Sequence, residues 1–295
     1  HHPLAAHPMT ALPSGLADLA DRKDVLLSDV WGVIHNGRES FPDACAALAR
    51  FRAEKGPVVL ISNSPRPASD VVAQLDALKV PREAWTAFIT SGDATRVLLG
   101  QKAALGAAWR IGPDRDMPLY EGLGLTFAEP AEAAFIAVTG PYDDEVETPE
   151  DYRDRFTGPA ARGLPMICAN PDRVVQRGDK LIYCGGALAD LYADMGGQVL
   201  MAGKPYAPIY DLCLAEASRL LGRDVDPRRV LCIGDGVHTD VQGAEQQGLD
   251  CLFIAKGIHG DAAMGPDGTL SAAGVDALLA AEGVTAGYAM ADLTW

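Results

Sequence analysis

Four short stretches of the sequence carry side chains that could do chemistry together. They are LLSDVWGVIHNG with Asp29, VVLISNSPR with Ser62 and Asn63, MAGKPYAPIY with Lys204, and VLCIGDGVHTD with Asp235 and Asp240. The last is the most specific. Its two carboxylates, five residues apart on one loop after an apolar run and Gly234, form a hard-oxygen site suited to Mg²⁺. Asp29 also ends an apolar run, and open α/β sheets place their ligands at the C-terminal ends of strands. Gly32, just beyond, permits a tight loop. Ser62 and Asn63 end another run before a helix start, where a hydroxyl and free backbone N–H groups can hold a phosphate oxygen. Lys204 sits between Gly203 and Pro205 at a helix entrance, where a cation costs stability unless an anion is close.

Each stretch taken alone has a plainer reading. Asp29 ends a strand, Ser62 and Asn63 cap a helix, and Lys204 is an exposed loop residue. Asp235 then occupies a glycine turn, and Asp240 opens a helix. Arg66 reads as a solvated side chain. Jointly the plain readings are strained, because the four ends carry Asp, Ser-Asn, Lys and Asp…Asp in an order that suits phosphoryl chemistry.

The elements that must position these residues alternate between strand and helix. DVLLSDV and PVVLIS read as buried strands. Between them Ala44, Leu48 and Phe51 mark a helix closed by Gly56, and Val71, Val72, Leu75 and Leu78 mark a second helix opened by Pro67 and Ser69. Later, Ile209, Leu212, Cys213 and Leu220 form the stripe of a helix over Ala207 to Leu221. VLCIG, a short helix ending near Gly248, and CLFIA follow it. This pattern implies an α/β fold, with a doubly wound, Rossmann-like parallel sheet. The middle is punctuated differently, by GPDRDMP, GPYDDEVETP and TGPAARGLP around the strands AFIAVTG and MICAN. It reads as a large inserted α/β cap, giving a core over 14–90 and 200–287 and a cap over 91–199.

Composition narrows the function. A net charge of −15 argues against a nucleic-acid partner, which needs a basic face. No run approaches the eighteen or so apolar residues of a membrane span. The six cysteines show neither a CxxC pair nor metal-ligand spacing, so they read as buried thiols of a cytoplasmic protein. Residues 1–8, with paired histidines ahead of Met9, read as tag-like and are set aside from the fold.

With these motifs in this order, the chain resembles the haloacid dehalogenase superfamily of phosphohydrolases, specifically subclass IIA, over roughly Ser14 to Gly287. The resemblance implies that Asp29 attacks phosphorus to form an acyl phosphate. It implies that Ser62 and the Asn63 backbone N–H bind the transferring group, and that Lys204 offsets charge on Asp29 and that group. It further implies Mg²⁺ held by Asp29, Asp235 and the Trp31 backbone carbonyl, with Asp240 ligating or supporting from behind. The stretch CANPDRVV…YCGGAL also resembles the subclass IIA cap that faces the substrate; Asp172, Arg173 and the CGG turn are its candidates. A small phosphorylated substrate and a homodimer through the cap are implied in the same way.

The first motif departs from the pattern. Phosphatases of this family carry Asp-x-Asp, whose second carboxyl protonates the leaving group and then activates water. Here the sequence is Asp29-Val30-Trp31, and an indole N–H is neither acid nor base near neutral pH. His35, a substrate group and a cap carboxylate are open as replacements. Two competing readings follow: a phosphometabolite-binding or regulatory protein without turnover, and a metal-independent dehalogenase, which ranks lower because both carboxylates of the fourth motif are kept. The tail YAMADLTW ends on Trp295, which could pack on the core or on a partner.

Overall fold

The structure, a computed structural model, describes residues 9–177, 179–255 and 263–295. Residues 1–8, set aside above, lie outside the described residues. In chain order the elements are α1 (Ala17–Ala20), β1 (Val25–Ser28), α2 (Pro42–Glu54), β2 (Val58–Ser62), α3 (Ala68–Ala77), β3 (Ala87–Thr90) and α4 (Ser91–Lys102). Then come β4 (Ala108–Ile111), β5 (Phe135–Val138), α5 (Arg153–Ala161), β6 (Pro165–Cys168), β7 (Val174–Arg177), β8 (Lys180–Tyr183), α6 (Gly185–Asp194) and β9 (Gln198–Met201). The chain closes with α7 (Ala207–Leu221), β10 (Val230–Gly234), α8 (Gln242–Gln247), β11 (Asp250–Ile254), α9 (Ala272–Ala281) and β12 (Tyr288–Met290). Two compact units emerge. Among the described residues, one comprises 9–62, Val72–Phe88, 210–255 and 263–295; the other comprises Asn63–Val71, 89–177 and 179–209.

The first unit is built on a sheet of order β12-β11-β10-β1-β2-β3. β1 pairs in parallel with β2 and β10, and β11 pairs in parallel with β10 and β12. All four residues of β1 and all five of β10 are buried, as strands covered on both faces must be. Alternation divides their side chains. Leu26, Leu60, Leu231, Ile233, Leu252 and Ile254 point to the face packed with Ala44, Leu48 and Phe51 of α2. Successive strands move outward from β1 in one direction and from β10 in the other, so the winding reverses between these two neighbours. Ligands of doubly wound sheets bind at such a reversal.

The N-terminal turn of α2 carries Pro42 at its start, where the missing N–H costs nothing. The helix ends at Glu54 and Gly56 closes it as expected, its N–H and that of Lys55 both bonding the Phe51 carbonyl. The C-terminal tail extends the sheet: β12 is an edge strand, and Trp295 packs on the same core with the Arg50 guanidinium 4.8 Å from its ring centroid. That resolves the choice left open for Trp295 in favour of the core.

The second unit has its own parallel sheet, of order β4-β5-β6-β9, and an antiparallel hairpin of β7 and β8. Phe135 and Ala137 face a cluster containing Leu99 of α4, while Ile136 and Val138 face one containing Phe156 of α5 and Leu188 of α6. The period-2 alternation thus buries both faces of β5.

Candidate active site

Register places the carboxylates. In the β1–β10 ladder Ser28 lies opposite Ile233, so Asp29 and Asp235 leave adjacent strand ends, and the Asp29 N–H donates to the Ile233 carbonyl at 2.8 Å. Asp29, Asp235 and Asp240 each offer an oxygen within 4.8 Å of the others. Asp235 and Asp240 are both only 4% exposed. Three ionised carboxylates at this separation repel by on the order of 3 kcal/mol per pair at an effective dielectric of 20. A hard divalent cation relieves that repulsion, so this donor set fits Mg²⁺.

Two glycines make the approach possible. Gly32 has φ +84°, and a Cβ there would collide with the Asp235 carboxylate; a Cβ on Gly234 would collide with that of Asp240. Asp240 does not open an ordinary α-helix as expected. It lies in a π-type turn over Val237–Val241 that leads into α8, with the Val241 N–H bonded to the Gly236 carbonyl at 3.0 Å. The wider turn points its carboxylate back to the strand end, where Oδ2 accepts from the Gly236 N–H at 3.1 Å.

Trp31, where the second motif-one carboxyl is expected, presents an indole that is 59% exposed. The ring packs on Gly37 (φ +86°), whose missing Cβ makes room for it, and lies edge-on to His35 at 5.4 Å between centroids. His35 is turned inward instead of toward a substrate. It is 2% exposed, its Nδ1 accepts from the Gly37 N–H at 2.9 Å, and burial lowers its pKa. The imidazole is therefore a neutral structural acceptor, poorly suited to replace the missing acid.

Ser62 ends β2 in the first unit and is half-buried. Asn63 and Lys204 belong to the second unit, where they clasp each other. The Asn63 amide accepts from the Lys204 N–H at 2.7 Å and donates to its carbonyl at 3.0 Å. Lys204 is 2% exposed, which rules out an ordinary solvated loop lysine. Sequence alone points to the Asn63 backbone N–H or to a helix cap, and not to a clasp through its side-chain amide. Its signal, an amide at a strand end, has no partner visible nearby in sequence. Arg66 is exposed and donates to the Asp70 carbonyl.

Of the cap candidates, Arg173 is engaged by Asp190 at 2.5 and 3.1 Å. The CGG turn owes its glycines to packing, since a Cβ on Gly186 would collide with the Pro171 carbonyl. The second unit also holds a cavity of about 500 Å³, whose lining includes Arg66, Arg115, Asp144, Asn170 and Arg177. Although burial opposes it, hydrogen bonds from Arg115 and Arg177 hold the Asp144 carboxyl below its usual pKa. Thr139 also lines the cavity, with its hydroxyl buried and without a hydrogen-bond partner among the described residues.

All six cysteines are buried and none forms a disulfide among the described residues; burial pushes the thiols of Cys45 and Cys184 up to about 11. Among the described residues no helix is long and apolar enough to cross a membrane.

Comparison with known proteins bears on this geometry. A family model described as haloacid dehalogenase-like hydrolase matches residues 26–126, and a second, HAD-hydrolase-like, matches residues 201–281. A solved hydrolase of the haloacid dehalogenase-like family from Brucella suis 1330 is 45% identical. The match covers 96% of this chain and all of that one, with a TM-score of 0.76. The 5′-nucleotidase YutF of Bacillus subtilis is 27% identical over 79% of this chain and 87% of its own. D-glycerol 3-phosphate phosphatase of Mycobacterium tuberculosis is 24% identical over 83% of this chain and 66% of its own.

Proposed function

The chain belongs to the haloacid dehalogenase-like hydrolase family, which includes phosphatases related to it, and on that premise we propose that it is a Mg²⁺-dependent hydrolase of a small phosphorylated metabolite. It works through an aspartyl phosphate on Asp29, with an altered proton-transfer step. The observation that carries this reading is the convergence of Asp29, Asp235 and Asp240 at the winding reversal of the sheet. These three carboxylates and the Trp31 backbone carbonyl would hold the ion, which when bound supplies positive charge to the phosphoryl oxygens.

Asp29 attacks phosphorus; the bond to the leaving oxygen breaks, and an acyl phosphate forms on the carboxylate. Ser62, Asn63 and Lys204 are assigned by resemblance to the charge on the transferring group. At Trp31 the proton carrier is missing, a loss typically worth about 10²–10⁴-fold in rate. The leaving oxygen must therefore depart with little protonation, which favours acyl and aryl phosphates. Water then cleaves the acyl phosphate without help from a carboxylate at position 31.

The test is phosphate release from a panel of acyl, aryl and alkyl phosphates with and without Mg²⁺. Release that requires the metal and is lost in Asp29→Asn is the expected result. No release from any member would sink the reading. Trp31 itself favours one alternative, a phosphometabolite-binding protein without turnover. Calorimetric binding of a phosphate ester in the absence of hydrolysis would select that alternative.

A further inference from the structure

We propose that the Trp31 indole is a stacking platform that selects phosphate esters with a flat aromatic leaving group. The inference deepens the phosphatase reading and rests on it. Exposed aromatic residues are common, so exposure alone carries nothing. What matters here is where the ring sits and how it is held.

Its position follows from the chain. Trp31 is two residues beyond Asp29, and the next residue, Gly32, abuts the Asp235 carboxylate. The backbone carrying the indole thus runs from one member of the carboxylate cluster to the side of another. The ring is also held in place. A Cβ on Gly37 would collide with the six-membered ring, so this loop gives up a side chain and adopts φ +86° to seat it. The buried His35 buttresses its edge, and His35 is fixed in turn by the Gly37 N–H. A ring 59% exposed yet seated in this way is preorganised surface, with little ordering left to be done on binding.

Chemistry points to the same class of ligand. The side chain that displaces the acid would contact the group that must leave without one. A phenolic oxygen, with a pKa of about 10, leaves far more readily unprotonated than an alkyl alcohol. One residue would thus remove proton transfer and favour the esters that need it least. Offset stacking between two aromatic rings is worth about 3- to 10-fold in affinity.

The experiment compares phenyl phosphate with acetyl phosphate, which also has a good leaving group but no ring. In Trp31→Leu the ratio of KM for phenyl phosphate to KM for acetyl phosphate should rise about 3- to 10-fold, and Trp31→Phe should restore most of it. Gly37→Ala, which displaces the ring without altering it, should raise the same ratio. A second arm reads binding alone. With Mg²⁺ present, phenylphosphonate should quench indole emission saturably, methylphosphonate should not, and the quench should vanish in Trp31→Leu. The other three indoles are buried or half-buried, which makes the signal attributable. An unchanged KM ratio in Trp31→Leu, or a quench that persists there, overturns the proposal. If wild type hydrolyses neither compound nor any other member of the phosphate panel, the phosphatase reading falls, and the quench alone decides the platform.

Discussion

Trp31→Asp puts a carboxyl group two residues beyond Asp29, in the loop whose next residue already abuts the Asp235 carboxylate. The substitution is sterically easy, because the indole is more than half exposed and packs mainly on Gly37 and the edge of His35. Losing that ring contact costs at most about 1 kcal/mol. An electrostatic cost is added to it. A fourth carboxylate beside the cluster brings further like-charge repulsion, reduced by solvent screening because the position is more than half exposed. The metal-free variant should therefore melt several degrees below wild type, at about 2–4 °C per kcal/mol, and Mg²⁺ should raise its Tm more than it raises that of wild type. Catalytically, restoring the proton carrier should raise kcat on alkyl phosphates by about 10²–10⁴-fold, with a much smaller gain on aryl phosphates, whose leaving oxygen needs little help. The assay is kcat across esters of graded leaving-group pKa, with circular dichroism and Mg²⁺-dependent melting as controls. Wild type should show a steep dependence on leaving-group pKa and the variant a shallow one. A folded, Mg²⁺-stabilised variant with no gain on alkyl phosphates would refute the idea that the missing acid limits the reaction.

Gly32→Ala forces a Cβ against Asp235 at a φ of +84°, a strain of about 1–2 kcal/mol before the clash is counted. The Mg²⁺-induced rise in Tm should shrink; an undiminished rise would show that the close approach is dispensable. Asn63→Ala removes both hydrogen bonds to the backbone of residue 204, and urea denaturation should report a loss of about 1–3 kcal/mol. Asn63→Asp, which keeps only the acceptor, should fall between the two. At low pH the Asp24 carboxylate is informative. A hydrogen bond from Arg229 outweighs desolvation and, with a second from Arg223, holds its pKa below the usual 3.8. Its folded pKa is thus below its unfolded one, so its stabilisation is present above about pH 4 and lost as pH falls through the folded value. Asp24→Asn should cost less than about 1 kcal/mol at pH 7, because surface pairs are screened, and the cost should disappear toward the acid limb. A cost that persists there would assign it to packing.

The sheet and its carboxylates were legible because their signals are local. β1 and β10 are continuous apolar runs, each followed by Asp or Gly-Asp, and a parallel ladder with Ser28 opposite Ile233 brings those ends together. The π-type turn at Val237–Val241 was not legible, since nothing in VHTDV separates it from an α-helical first turn. The strands β3, β4 and β9 are less legible than the equally short β1 and β5, because they are incompletely buried and so lack a continuous apolar run, whereas all four residues of β1 and of β5 are buried. The inward turn of His35 depends on Gly37 and on the ring above it, and only a folded loop shows both. The burial of Lys204 is set by residues far away in the sequence, so its neighbours Gly203 and Pro205 could not announce it. Trp31 is the reverse case. Its identity was plain at once, but its exposure and its seat on Gly37 were needed before it could be read as more than a missing acid.

The clasp between Asn63 and Lys204 joins residues 141 positions apart. A polypeptide that departs and returns at one pinned point resembles a cassette whose two ends are already tied. The entropy of closing so long a loop is met where the ends meet, and it grows only slowly with what lies between them. Of the intervening sequence, Val72–Phe88 belongs to the first unit and has to stay, but the loops of the second unit could lengthen, shorten or be exchanged over evolutionary time at little thermodynamic penalty to the pinned ends. For an engineer, the same knot marks where a foreign segment could be spliced in, provided the asparagine, the backbone it grips and Val72–Phe88 are kept.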